Sequence, residues 1–180
     1  MARITLATVW LGGCSGCHMS LLDLDEWLFE LASQVELVYS PFVDAKEYPE
    51  GVDVVLVEGA IANADHVSLI HQIRARSRFL ISFGDCAVTG NVPALRNPSG
   101  SAESILQKCY VEAASIQAQI PKAPGIVPPL LPQVTPVHTV VPVDCYLPGC
   151  PPPAAHIRAT LEPLLQGENP RLSGTQIKFG

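Results

Sequence analysis

Residues 52–59 read VDVVLVEG, a nearly uninterrupted apolar run that ends at an acidic residue and a glycine. β-Branched residues dominate the run, as is typical of a strand that is buried on both faces of a sheet. Similar apolar runs occupy residues 4–9, 35–39 and 78–83. We therefore predict four strands from these runs.

Amphipathic segments lie between and after the predicted strands. Apolar residues recur at helical spacing over about residues 18–33, 63–76 and 154–165, and a further helical stretch is predicted over about 101–119. Buried strands that alternate with helices indicate a parallel sheet with helices on both faces. Right-handed crossovers then predict an α/β fold with a flavodoxin-like, doubly wound parallel sheet.

The segment from about 121 to 153 has a different composition, because it holds 11 of the 17 prolines. We expect it to be a mostly extended loop over the sheet, with one short strand near residues 139–143. The chain has no internal repeat, and its length predicts one domain over residues 1–180.

Composition excludes several classes of protein. Charged residues make up 16% of the 180 residues and hydrophobic residues 48%, so the chain is expected to fold and not to be disordered. A net charge of -6 argues against a nucleic-acid partner. No apolar run is long enough for a transmembrane segment, and the first residues do not resemble a signal peptide. These features predict a cytoplasmic protein, with loose membrane association through a complex left open.

Four of the six cysteines follow predicted strands. Cys14 and Cys17 come after the first strand, Cys86 after the strand that ends at residue 83, and Cys150 after the late short strand. Because the carboxyl ends of parallel strands share one edge of a sheet, we expect these four thiols to meet there. Four cysteine ligands suit a [4Fe–4S] cluster or a zinc ion, and a redox dithiol at Cys14 and Cys17 or ordinary buried thiols remain alternatives. Among these the wide separation of the ligands favours a cluster.

The residues around these cysteines suit a cluster as well. Gly13 and Gly16 allow backbone N–H groups to approach the sulfur atoms, and such hydrogen bonds tune the reduction potential. Two prolines, Pro151 and Pro152, are expected to stiffen the wall behind Cys150.

Four motifs carry a family resemblance, and they occur in the order GCSGC (13–17), EGAI (58–61), GDCA (84–87) and PGCPP (148–152). In this respect the chain resembles the small subunits of nickel–iron hydrogenases, in particular those of the bidirectional, NAD(P)-linked type. The resemblance extends from residue 4 to the last predicted helix. The chain differs from many of these relatives at Gly13, where they have an acidic residue, and at His18 and Met19, where they have Ser-Glu.

The resemblance implies a function for the whole assembly. Cys14, Cys17, Cys86 and Cys150 would bind one proximal [4Fe–4S] cluster, and no C-terminal domain with further clusters is expected. Electrons would pass between the nickel–iron centre of a large subunit and a diaphorase module with iron–sulfur clusters, flavin and NAD(P). The nickel–iron centre, flavin and NAD(P) are expected on those partner subunits only, so the chain itself would transfer electrons as one subunit of an oxidoreductase.

Two alternatives to this function stay open. The first is a subunit like that of respiratory complex I, which passes electrons to a quinone, although relatives of that kind have adjacent cysteines in the first loop. The second is a zinc-stabilised binding protein without a redox role.

Other residues are assigned to the surroundings of the cysteines. Glu58 is expected either to contact the site or the partner, or to be a helix-capping or surface carboxylate, and Asp85 is expected to shape its loop through backbone N–H groups. His18 is a candidate donor to a sulfur atom or a plain residue of the first helical turn. Cys109 is predicted to be a small buried hydrophobe, and Cys145 competes with Cys150 as the fourth ligand, with Cys150 preferred.

Overall fold

A parallel sheet forms the centre of the computed structural model, which describes residues 3–179. The strands of this sheet are β1 (Ile4–Trp10), β2 (Val35–Tyr39), β3 (Val52–Glu58), β5 (Ser77–Phe83) and β7 (Cys145–Leu147). Within the described range the strands lie in the order β2-β1-β3-β5-β7, and all neighbouring strands are parallel. In order of appearance this is the 2-1-3-4-5 arrangement of flavodoxin-like sheets, so the predicted fold class is confirmed.

Helices cover both faces of this sheet. They are α1 (Gly16–Leu22), α2 (Trp27–Gln34), α3 (Ala64–Arg76), α4 (Asp85–Thr89), α5 (Asn91–Ala94), α6 (Ala102–Gln107) and α7 (Ala154–Leu165). Short 3₁₀ turns occupy Asn97–Ser99, Val137–Thr139 and Gly174–Ile177. None of the helices described between residues 3 and 179 combines the length and the apolar character that crossing a bilayer requires.

The alternation of side chains along the strands divides the core into two layers. One layer contains Leu56 and Phe83 together with Leu31 of α2 and Ile157 of α7. The other contains Val55, Val57 and Leu80 together with Ile70 and Ile73 of α3. Each central strand is therefore buried on both faces, which explains its continuous apolar run.

The predicted helix over 18–33 is in fact two helices. Between them Asp25 has a φ of 49°, in the left-handed region that interrupts a continuous right-handed helix. Leu24, just before this turn, is buried in the core. The turn therefore lets α1 and α2 approach the sheet along separate paths.

The predicted helix over 101–119 is much shorter. The α-helix ends at Gln107. One π-helical turn, Lys108–Glu112, follows it, and no residue of that turn is buried.

The proline-rich segment contains more structure than expected. Strand β6 (Leu130–Thr135) pairs antiparallel with β4 (Ile61–Asn63) in a small second sheet. The prediction of a strand near residues 139–143 is wrong. Val137 to Val141 form hydrogen-bonded turns instead, and Pro142 lacks the N–H group that a strand would use. The late strand of the main sheet is instead β7, beside β5.

Candidate metal centre

Three loops at one edge of the sheet, each with the residues directly after it, carry four cysteines: Cys14 in the first loop and Cys17 in the first turn of α1, Cys86 at the start of α4 after the second loop, and Cys150 in the third loop. The loops follow the carboxyl ends of β1, β5 and β7. In the middle loop the N–H of Gly84 donates to the carbonyl of Leu147 at 2.8 Å, and that of Asp85 to the carbonyl of Gly149 at 2.9 Å. From α1, which directly follows the first loop, Ser20 Oγ donates to the carbonyl of Pro152 at 2.5 Å. These bonds join all three loops into one unit.

Close approach of backbone and sulfur distinguishes the centre of the site. Gly84 has a φ of 83°, and a Cβ atom there would overlap with the sulfur of Cys17. Only glycine therefore fits between the first and second loops. The Cβ of an alanine at Gly16 would lie 3.2 Å from the sulfur of Cys14, which is also tight.

Electrostatics indicate that the four thiols are neighbours. Burial raises the pKa of the Cys17 thiol well above its usual value, and the charges of Glu58, Cys86, Cys14 and Cys150 raise it further. Burial likewise raises the pKa of Cys86, while the backbone N–H of Val92 donates to its sulfur and opposes the increase. The thiols of Cys17 and Cys86 can be ionised together in this place only if a positively charged group offsets the cost of burial and the repulsion.

Hydrogen-bond donors approach three of the four sulfur atoms. The N–H of Gly16 lies 3.4 Å from Cys14 Sγ, and Asn91 Nδ2 lies 3.5 Å from Cys150 Sγ. The third donor is the Val92 N–H on Cys86. The donor from Asn91 was not anticipated from the sequence, although a side-chain amide directly after Gly90 was a signal that could have found it.

A buried acid lies beneath the first loop. Glu58, at the end of β3, is 1% exposed, and its carboxylate accepts hydrogen bonds from the N–H groups of Cys17 at 3.4 Å and His18 at 3.0 Å. The same carboxylate pairs with Nδ1 of His18, whose ring is also buried. Among the described residues Nε2 of His18 has no hydrogen-bond partner. Both residues therefore orient the loop that carries Cys17, and His18 is bonded to a carboxylate, not to a sulfur.

Asp85 and Gly13 shape the neighbouring turns. The Asp85 carboxylate accepts a hydrogen bond from the Gly149 N–H at 2.6 Å, so it ties the loop of Cys86 to that of Cys150. A Cβ at Gly13 would lie 3.3 Å from the Cα of Gly59 and 3.7 Å from Glu58 Oε1. Gly13 therefore lets the first loop pass close to the end of β3.

The two remaining cysteines lie outside this group. Cys109 is exposed, so the prediction that it is buried is wrong; its π-helical turn has no core beneath it. Cys145 lies in β7 and packs against the core layer below it. Burial and the neighbouring Asp144 raise the pKa of Cys145 to about 11. This packing gives Cys145 a structural role in the strand.

The donor set fits an iron–sulfur cluster. Four thiols without disulfides, glycines that admit backbone N–H groups and several N–H···S donors are the features that such clusters require. Across residues 3–179 no three His, Cys, Asp or Glu side chains converge on a point where one metal ion could bind. A [4Fe–4S] cluster does not need ligands that converge on one point. Its four thiolates surround the cluster, and each binds a separate iron.

Comparisons with known proteins agree with this arrangement. Residues 14–164 match the family model described as NADH ubiquinone oxidoreductase, 20 Kd subunit. A solved structure of NAD⁺-reducing [NiFe]-hydrogenase contains a chain that is 37% identical, with a TM-score of 0.93 over 99% of this chain and 100% of that one. The fold and the order of its elements are thus those of a hydrogenase subunit.

Curated relatives carry hydrogenase names too. A subunit of the F420-non-reducing hydrogenase vhu of Methanocaldococcus jannaschii is 41% identical over 94% of this chain, which spans 60% of that protein's length. The NAD-reducing hydrogenase HoxS subunit delta of Cupriavidus necator is 37% identical over 92% of this chain and 80% of its own. An iron-sulfur subunit of the F420-non-reducing hydrogenase of Archaeoglobus profundus is 28% identical over 93% of this chain and 57% of its own.

Proposed function

Because the chain belongs to the NADH ubiquinone oxidoreductase 20 kDa subunit family and is related to the small subunits of nickel–iron hydrogenases, we propose that it is the electron-transfer subunit of such a hydrogenase. Cys14, Cys17, Cys86 and Cys150 hold one proximal [4Fe–4S] cluster in this proposal. When bound, the cluster supplies one-electron transfer. The observation that carries the proposal is that four separate cysteines share one sheet edge, where burial and the charges of the neighbouring groups raise the pKa of the Cys17 and Cys86 thiols.

The protein's own part is to hold and insulate the thiolates. Glu58 and His18 orient the loop of Cys17, and Asp85 ties the loop of Cys86 to that of Cys150. Burial of Cys17 keeps water from the inner side of the site. Ionised thiolates beside Glu58 repel each other, and the positive iron ions of a cluster offset that repulsion.

The surface around the site supports docking of a partner subunit. Large apolar side chains are exposed near the cysteine loops, including Trp10, Met19, Val92 and Leu95. Obligate interfaces are large and apolar, so this edge suits a permanent partner. In the proposal that partner is the large subunit with the nickel–iron centre, and a diaphorase module with flavin and NAD(P) exchanges the electrons in the cytoplasm.

Metal analysis tests the cluster directly. Full-length chain, purified with its partners and without oxygen, is expected to give about four iron and four acid-labile sulfide per chain beyond the partners' own content. Replacement of Cys86 or Cys150 by serine is expected to remove most of that iron and sulfide. The matched controls are Cys109→Ser and Cys145→Ser, which should retain it.

Other results would assign the site differently. About one zinc per chain without sulfide would contradict the electron-transfer proposal in favour of a structural metal. A well-folded chain that binds neither metal would contradict it in favour of dithiol chemistry at Cys14 and Cys17.

A second candidate is a quinone-linked subunit, and the name of the matching family model favours it. The spacing of Cys14 and Cys17 argues for a hydrogenase, because the quinone-linked relatives are expected to have adjacent cysteines. The identity of the large subunit separates the two candidates. A partner with two Cys-x-x-Cys pairs for nickel supports the hydrogenase, and one without them supports the quinone-linked function.

A further inference from the structure

Asn91 has a positive φ of 32°. Among the residues that the structure describes, the other non-glycine residues with a positive φ are Ser15 and Asp25. Asn91 follows Gly90, whose φ is 90°. Two successive residues of this kind turn the chain sharply between α4 and α5. The turn places Asn91 Nδ2 3.5 Å from the sulfur of Cys150, a residue 59 positions away.

The backbone holds this turn in place. The N–H of Gly90 donates to the carbonyl of Cys86 at 3.0 Å, and the Gly90 carbonyl accepts from the N–H of Ala94 at 3.1 Å. A Cβ at Gly90 would lie only 2.9 Å from that of Ala94, so glycine is required there. Asparagine is among the few residues that tolerate a positive φ at the next position. The backbone therefore fixes the point from which the Asn91 side chain extends, and from that point its amide reaches Cys150 Sγ.

From this placement we infer that Asn91 raises the reduction potential of the cluster by donating a side-chain N–H···S hydrogen bond to Cys150. The inference rests on the proposed function, because it concerns the same four cysteines. Reduction adds negative charge that is shared by the cluster and its thiolates. A donor to a thiolate stabilises the reduced, more negative state more than the oxidised state, and so raises the potential.

The next residue approaches a second sulfur atom. The N–H of Val92 donates to Cys86. One short segment, residues 91–92, thus supplies donors to two of the four sulfur atoms. The donor from Val92 belongs to the backbone and survives substitution, whereas the donor from Asn91 is a side chain that can be removed alone.

Two substitutions test the role of the Asn91 amide separately from the role of the turn. Asn91→Gly removes the donor and keeps a residue that accepts the positive φ. Asn91→Asp keeps the size of the side chain but replaces the donor by a carboxylate, which repels the thiolate. Asn169→Asp is the matched control, because it makes the same change beside Arg3 and Arg78, at the opposite end of the strands from the cysteines.

The readout is the midpoint potential of the cluster, measured by redox titration with EPR on the full chain in its complex. In Asn91→Gly we expect the equilibrium constant for reduction to fall about tenfold, which is about 59 mV lower for one electron. Asn91→Asp is expected to lower the potential further, and Asn169→Asp to leave it at the wild-type value. Iron and sulfide per chain should be unchanged in all three variants.

Several outcomes would overturn the inference. A wild-type potential in Asn91→Gly would show that the amide does not act on the cluster. Equal shifts in Asn91→Asp and Asn169→Asp would assign the effect to net charge. Loss of the cluster from both Asn91 variants would show that Asn91 is needed to assemble the site and would contradict a role in tuning the reduction potential. A wild-type chain without iron and sulfide would instead be a failure of the proposed function.

Discussion

Glu58 shows how much of the site depends on a single side chain. Its carboxylate is buried at the end of β3, where it accepts N–H groups from Cys17 and His18 and pairs with the His18 ring. A carboxylate is stable in such a place only because these partners replace water. Glu58 therefore links the central strand of the sheet to the loop that carries Cys17.

Removal of Glu58 is expected to destabilise the chain strongly. Glu58→Ala leaves the buried His18 ring and two N–H groups without their acceptor, so we expect the free energy of unfolding to fall by about 3 kcal/mol or more. Urea unfolding of the full chain measures this loss. The control is Glu162→Ala, which breaks the exposed pair with Arg158 and should cost less than about 0.5 kcal/mol. Similar losses in both variants would contradict the buried role of Glu58.

The thiol of Cys145 is expected to react slowly at neutral pH. Its pKa is raised to about 11, from an ordinary value of 9.0, by burial and by Asp144. Since the thiolate is the reactive form, alkylation of Cys145 in the folded chain should increase with pH up to about 11. In urea-unfolded chain the same curve should reach its midpoint near the ordinary value. Mass spectrometry of iodoacetamide-treated samples measures both curves, and identical curves would contradict the shift.

Among the elements, the loop between β5 and α4 has the strictest steric requirement. Gly84 there leaves room for the sulfur of Cys17 and donates its N–H to Leu147 at 2.8 Å. The loop is short and joins a buried strand to a buried helix, so neither end can move to accommodate a larger residue. The absence of a side chain at Gly84 therefore determines how closely Cys17 can approach the segment that carries Cys86.

A single methyl group at this position is expected to disrupt the site. Gly84→Ala places a Cβ against Cys17, so we expect the loss of most iron and sulfide from anaerobically purified chain. Gly167→Ala is a matched control, because Gly167 also has a positive φ, 77°, but has no atom within 4 Å of the added Cβ. It should cost about 1–2 kcal/mol of stability and keep the iron. Equal iron in the two variants would contradict the steric argument.

At the scale of the whole molecule, the topology brings distant motifs together. The order β2-β1-β3-β5-β7 puts the ends of β1, β3 and β5 side by side at the centre of the sheet. The cysteine loops and Glu58 therefore share one edge, and exposed apolar side chains follow the same strand ends in sequence. The same topology brings together both the proposed cluster site and the proposed docking surface.

Docking of the large subunit is expected to depend on this edge. Val92 is 59% exposed beside the loop of Cys86, so Val92→Lys places a charge in the proposed interface while its backbone N–H is retained. We expect about tenfold weaker recovery of the co-purified partner, with iron per chain unchanged. Ile116→Lys is the control, because Ile116 is 98% exposed and follows the π-helical turn, away from the cysteine loops in sequence. Equal recovery of the partner with both variants would contradict the placement of the interface.

Much of the fold was predictable from local patterns. The runs that became β1, β2, β3 and β5 are short, apolar and β-branched, and helices α3 and α7 begin and end within one residue of their predicted bounds. These elements depend on periodicity and propensity, which are local properties of the chain. The loops that hold the four cysteines were predicted from the topology of parallel sheets.

The sequence alone determined the class of fold and the family resemblance, and it predicted the four cysteines as a group. Only the tertiary structure decided the details that depend on contacts between distant segments. It separated α1 from α2 at Asp25, moved the late strand to Cys145–Leu147, exposed Cys109 and brought the amide of Asn91 to Cys150. The reason is physical: spacing and composition act within a few residues, whereas burial and hydrogen bonding to a sulfur depend on which segments the folded chain places side by side.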